Sequence, residues 1–327
     1  MTNQSVQHNK RLVWQFWEKL NASQPGGIAD VVRQTVHPDI AWHGPHPIND
    51  LTGVDALIES FWQPLRAAFP DLKRTSEILI GGHRHYVAEI GSFRGTFAHD
   101  WLGIPATSRK ITIRFGEFNA VYDNKIVLSY CLPDILDVIR QVGFQLVPPS
   151  LGEEGQVQGP MTGDGVFFAP QDDAEGAKTL AFAKTMCGAL NTPQLGSFWN
   201  TETMRWYGPS GIGTTRGLDG FVNQHEDPFN HAFPEYGSNH MGIHSAELGE
   251  GNYAAWVGWP SIRARQVGEY LGCPPSGRDA EWRLMDFYRR EGELIIENWV
   301  PVDMLHLFLT MGVDIMAKLR KACEARS

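Results

Sequence analysis

Cysteine is scarce in this chain. Cys131, Cys187, Cys273 and Cys323 are scattered over 327 residues without a C-x-x-C pair. That excludes a disulfide framework, and the thiols read as those of a reducing cytoplasm. Positive charge is also short, with 28 Lys and Arg against 37 Asp and Glu for a net charge of −9. A nucleic-acid or anionic-membrane partner needs a basic face, so neither is expected. No apolar run approaches the ~20 residues that span a bilayer. The opening "MTNQSVQHNKRLVW" has no apolar leader core, so a cytoplasmic protein is expected.

Cofactor motifs are missing as well. There is no G-x-S-x-G elbow and no recognisable Ser-His-Asp order. "GPSGIGTTRG" (208–217) is Gly-rich but lacks the lysine of a phosphate-binding loop. His240 and His244 have the spacing of a helical zinc site, yet "HMGIH" lacks its glutamate and the repeat partner "SEILI" reads as strand. On a strand the two would stand ~13 Å apart, too far for one metal. No metal and no cofactor are expected. His43, His46, His240 and His244 then serve as neutral donors near a carbonyl, or have no ligand role.

What the chain does have is a second copy of itself. "LGIPATSR" ends at Arg109 and "LGCPPSGR" at Arg278, 169 positions on. At that shift Arg94/Arg263, Arg114/Arg283, Phe118/Phe287, Asp134/Asp303 and Gly143/Gly312 also coincide. A shift of 164 pairs Trp42/Trp206, Gly53/Gly217, Pro64/Pro228 and Phe69/Phe233 in the same order. Collinear blocks predict two copies of one domain, 1–148 and 176–327, joined by a solvated Gly- and acid-rich linker, 149–175. Phe167 and Phe168 are expected to pin that linker to a surface.

Each copy opens with a helix of 3.6-residue periodicity, "RLVWQFWEKLN" in the first. A short strand broken at Gly-Pro and a second helix ended by Phe69-Pro70 follow. Four β segments come next, at 76–80, 85–97, 109–122 and 125–132, then a last helix from Asp134. Helices followed by an antiparallel run predict an α+β fold: two tandem cone-shaped barrels, each a curved antiparallel sheet wrapped against helices.

The order Trp-x-Gly-Pro, Gly-x-Asp, Phe-Pro, "LGxPxxxR" and Asp-x8-Gly resembles the SnoaL-like polyketide cyclases of the nuclear-transport-factor-2-like superfamily. Residues 269–312 carry the likeness best and 100–143 second. The resemblance implies a cone-shaped fold and an intramolecular aldol cyclisation without metal or cofactor. It places the acid/base on the aspartate opening the last helix, Asp134 in copy one and Asp303 in copy two. The residues themselves admit another role, since both sit where a helix N-cap belongs.

Alternation on "WRLMDFYRR" puts Asp286 and Tyr288 on one strand face, with Glu117 and Asn119 at the matching positions of copy one. Asn298 and Trp299 precede Asp303, and Trp42, Trp206 and Tyr207 flank the Gly-Pro breaks. These join the four histidines as substrate-binding candidates. The expected function is a cofactor-independent cyclase-like lyase or isomerase acting on an apolar carbonyl compound. Copy two is the more active, and the fused copies form a pseudo-dimer that leaves a homodimer of the whole chain open. A small-molecule binder, or a dehydratase or epoxide hydrolase using the same pocket, is the alternative.

Overall fold

Two six-stranded sheets organise the chain, which is described from a computed structural model covering residues 3–82, 85–155, 159–236 and 242–326. Two compact units divide it. The first holds Met1–Phe144, Val157–Pro170 and Met316–Ser327; the second holds Gln145–Gln156 and Gln171–Ile315.

In the first unit α1 (Asn3–Ala22) and α2 (Ile28–Thr35) precede β1 (Val36–His43) and β2 (Leu51–Thr52). Val13, Phe16, Trp17 and Leu20 form the buried stripe of α1. A broken helix follows: α3 (Val54–Leu57), a π-helical turn (Ile58–Trp62) and α4 (Gln63–Ala68). Pro64 has no N–H and its ring crowds the preceding turn, and the wider π turn sits where that conflict falls. Strands β3 (Lys73–Gly81), β4 (Tyr86–Thr96), β5 (Lys110–Tyr122) and β6 (Lys125–Pro133) then form a meander, and α5 (Ile135–Gln141) follows. Asp123 and Asn124 both take positive φ, +48° and +59°, as a two-residue hairpin of primed type requires.

The second unit repeats this order. It comprises α6 (Asp173–Cys187), β7 (Arg205–Tyr207), β8 (Thr214–Arg216), α7 (Gly217–Phe221), a π turn (Val222–Glu226) and α8 (Asp227–Ala232). Strands β9 (Ala246–Glu250), β10 (Tyr253–Arg265), β11 (Asp279–Glu291) and β12 (Leu294–Trp299) follow, then α9 (Met304–Thr310). Helix α10 (Ile315–Glu324) comes last, and residues from Met316 onward belong to the first unit.

Strand order is β2-β1-β6-β5-β4-β3 in one sheet and β8-β7-β12-β11-β10-β9 in the other, the same topology twice. The expected sheet is thus present with one difference. It is mixed, because β1 runs parallel to β6 and β7 parallel to β12. The helical segment between each unit's opening strands and its meander carries the chain back for that parallel pairing.

The segment expected as a solvated linker is mostly exposed or half-buried and is anchored at several points. Glu153 pairs with Thr214 and Val166 with Leu79 in isolated bridges. Phe168 meets Trp14 edge-on at 5.6 Å, and the Lys10 ammonium lies 4.0 Å from the Phe167 ring centre. Among the described residues no helix is long and apolar enough to cross a membrane.

Candidate functional site

Alternation along β11 builds the site. Trp282, Leu284, Asp286 and Tyr288 all face one cavity of about 120 Å³ in the second unit. Arg283, Met285 and Phe287 take the other face, as a period of two demands. Trp206 from β7, Asn298 from β12, Trp256 from β10 and Cys187 from α6 complete the wall nearest Asp286. Most of this lining is aromatic or aliphatic, so each polar group within it counts.

Asp286 is the central one. Trp256 lies across the ladder from it and its indole Nε1 donates to Oδ2 at 2.8 Å. The Tyr288 hydroxyl donates to Oδ1 at 3.3 Å. Burial pushes the carboxyl up to about 6, against the pull of hydrogen bonds from Trp256, Asn298 and Tyr288. The same burial pushes Tyr288 well above the ordinary phenol range, so it stays protonated and donates. Burial beside Asp286 also pushes the Cys187 thiol up to about 12, which makes it a poor nucleophile.

Two lining groups come from the π turn, His225 and Glu226. The His225 ring stacks on Trp206 at 4.0 Å, and desolvation holds it neutral, down to about 3. Glu226 Oε1 accepts from the Asn191 backbone N–H at 2.9 Å, and burial raises its carboxyl. Sequence reasoning missed both, along with Trp256 and Tyr236. The readable signal was the exchange of Phe61-Trp62 in copy one for His225-Glu226 at the 164 shift.

Of the residues singled out from sequence, Trp206, His244, Asp286, Tyr288 and Asn298 meet at this cavity. His244 stacks on Trp256 at 4.9 Å. His240 lies outside the described residues. Tyr207 and Trp299 are not among the cavity residues. They occupy the opposite strand face, stacked at 5.2 Å, with the Tyr207 hydroxyl on Glu297 at 3.0 Å.

Both helix-opening aspartates cap. Asp303 Oδ1 accepts from the His306 N–H at 3.1 Å, and Asp134 Oδ1 from Asp137 N–H at 3.0 Å. Asp303 Oδ2 faces Arg283 Nη1 at 3.6 Å, and Asp134 Oδ2 accepts from Arg114 at 2.6 Å. Arg283 belongs to the β11 face opposite Asp286, and Asp303 is not among the residues that line the cavity. Arg114 stands likewise opposite Glu117.

The matching interior of the first unit is filled. Arg74 lies between Trp17 and Phe115, its guanidinium carbon 3.1 Å and 4.8 Å from their ring centres. It forms an ion pair with Glu89 and stands 3.5 Å from Glu117. Desolvation lowers Arg74 to about 10 and raises Glu117 to about 8. A void of about 10 Å³ lies beside Trp17 and Arg74. Trp42 packs on Phe61 at 4.9 Å, and His43 stacks on Tyr130 while facing Asp50 at 3.1 Å. Asn119 and Glu117 are buried, and His46 is half-buried beside the β1 end. None of these copy-one candidates belongs to the Asp286 cavity.

Comparison with known proteins places most of the chain. The profile of the SnoaL-like polyketide cyclases matches residues 11–142 and again 180–310. No curated protein matches the chain. Among solved structures, a candidate SnoaL-like polyketide cyclase from Jannaschia sp. CCS1 is 20% identical. That match covers 41% of this chain and 90% of the other, with TM-score 0.37. IdmH, a candidate polyketide cyclase from Streptomyces antibioticus, is 22% identical over 42% of this chain and 99% of its own, with TM-score 0.36. AclR, a candidate hydroxylase from Streptomyces galilaeus, is 17% identical over 42% and 97%, with TM-score 0.36. Matched twice and over most of its length, the chain belongs to the SnoaL-like polyketide cyclase family.

Proposed function

We propose that the second unit is a cofactor-independent acid/base catalyst acting on a small carbonyl compound, with Asp286 as the base. One observation carries this: a carboxyl held near 6 inside an aromatic cavity and oriented by Trp256 and Tyr288. A base works best when its pKa lies near the working pH. Asp286 takes the proton from a carbon beside the substrate carbonyl. The C–H electron pair moves into an enolate, whose oxygen accepts a hydrogen bond from a tyrosine hydroxyl. Tyr288 and Tyr236, both kept protonated by burial, face the cavity. In a cyclisation the enolate carbon then bonds to a second carbonyl carbon of the same molecule, and the new alkoxide takes the proton back from Asp286. The first unit, with Arg74 and its aromatics in the corresponding space, has a structural role.

Size limits the reacting part. About 120 Å³ is close to the ~150 Å³ that accommodates benzene. A single ring matches this volume.

The test is deuterium uptake at the α-carbons of cyclohexanone in D2O, followed by proton NMR. The wild-type chain should accelerate uptake, and Asp286→Asn should lower that rate ~10²–10⁴-fold. Equal rates for the two proteins would sink the proposal. A ligand held unchanged, without exchange, would indicate a binder.

A further inference from the structure

We propose that the substrate of the second unit is a two-part molecule without negative charge: a compact carbonyl-bearing end beside Asp286, and an apolar arm in an adjoining chamber that no motif pointed to. The reading of the first chamber rests on the proposed function; the second chamber stands on its own geometry.

That second chamber measures about 210 Å³ and is walled by Pro148, Pro149, Leu151, Pro228 and Leu271. Its size exceeds that of the catalytic cavity, and its walls are largely apolar, with Gln224, His225 and Glu269 as the polar members. Ile212, His225 and Tyr270 line both spaces, so the two meet at these side chains. An occupant of one chamber lies against the same side chains as an occupant of the other.

The segment after the first copy supplies part of the wall. Its position is fixed by Gly152 N–H to Ile212 O at 3.1 Å and by reciprocal 2.8 Å bonds between Glu153 and Thr214. Gly272 closes the far side at φ +76°, where a Cβ would stand 2.4 Å from Pro148 Cγ. Glycine leaves room for the Pro148 ring here and takes the positive φ without strain.

The junction carries an unmet polar atom. His225 Nδ1 is buried and has no hydrogen-bond partner among the described residues. A buried polar atom left without a partner is destabilising. A hydroxyl or carbonyl where the arm meets the ring would satisfy it, because the imidazole is kept neutral by its surroundings. The charge follows from the walls. Among the described residues neither chamber is lined by Lys or Arg, while Asp286, Glu226 and Glu269 supply carboxyls. A carboxylate or phosphate ester would find no counter-charge, so the occupant is not an anion.

The experiment compares cyclohexanone with 4-propyl- and 4-pentylcyclohexanone, using calorimetry and quenching of the cavity tryptophans in the full chain. Each methylene buried in the second chamber should tighten binding roughly fourfold. Gln224→Trp, which fills that chamber, and Leu151→Glu, at a position 61% exposed and tolerant of change, should each remove the gain. Both should leave cyclohexanone affinity within about twofold. Affinity that is flat across the series, absent throughout, or still rising in both variants overturns the two-chamber site. A chain-length gain without α-proton exchange supports it while contradicting the catalytic reading.

Discussion

Trp256 stands directly across the ladder from Asp286 and donates its indole N–H to the carboxylate at 2.8 Å. In the first unit the same rung holds Glu89 opposite Glu117. There Arg74 supplies the counter-charge from within the core. One rung thus serves two ends. Copy one closes its interior around a buried ion pair, and copy two keeps a carboxyl facing open space with no cation beside it among the described residues. An unpaired buried carboxylate raises its own pKa instead.

That arrangement costs stability, with a sign that can be checked. Asp286 is raised from 3.8 to about 6, so the folded chain holds a proton that the unfolded chain has lost between those values. Stability from this group is full below about pH 4, falls as pH rises to about 6, and stays reduced above it. Asp286→Asn removes the penalty and should stabilise the second unit by about 1–3 kcal/mol at pH 8. Thermal melts of both proteins at pH 4 and pH 8 check this, with the difference confined to the higher pH.

The pH dependence of turnover follows from the same group. Asp286 acts as base only when ionised, so the rate should rise through about pH 6 to a plateau. Initial exchange rates between pH 4.5 and 8 measure it. A profile flat over that range would count against Asp286.

The two capping aspartates should behave as caps. Asp303→Ala removes the acceptor for His306 N–H and the partner of Arg283, at a cost of about 1–2 kcal/mol. Asp303→Asn keeps the cap and should melt close to the parent. Denaturant titrations of the two variants separate these outcomes.

In the first unit, Arg74→Met should be severe. It leaves Glu89 and Glu117 buried without a counter-charge, a change typically worth about 3–5 kcal/mol. Glu89→Gln together with Glu117→Gln in the Arg74→Met background should recover much of that loss. Melting of the three proteins at pH 7 decides it.

Much of the fold was legible because the chain states it twice. Collinear identities such as Arg114/Arg283 and Pro64/Pro228 set the order of elements, and the Asp123-Asn124 turn marked the last hairpin. The parallel pairing of β1 with β6 was not legible, since burial alternation gives a strand's faces and not its direction. At the site, alternation on β11 found Asp286 and Tyr288. It was not carried through to β7 and β12, where it would have parted Trp206 and Asn298 from Tyr207 and Trp299. His225 and Glu226 stayed hidden because they lie on a helix whose π turn aims them inward, and because their copy-one partners are apolar. Asp303 stayed ambiguous in the sequence because a capping aspartate and a catalytic one have the same local pattern.

The most direct measurement is a single exchange assay on Asp286→Asn and Asp303→Asn, with cyclohexanone in D2O at pH 7.5 and both proteins shown folded by melting. Asp286→Asn should lose ~10²–10⁴-fold while Asp303→Asn stays within a few-fold of the parent. The reverse ordering, with Asp303→Asn inactive and Asp286→Asn at the parental rate, would contradict the account.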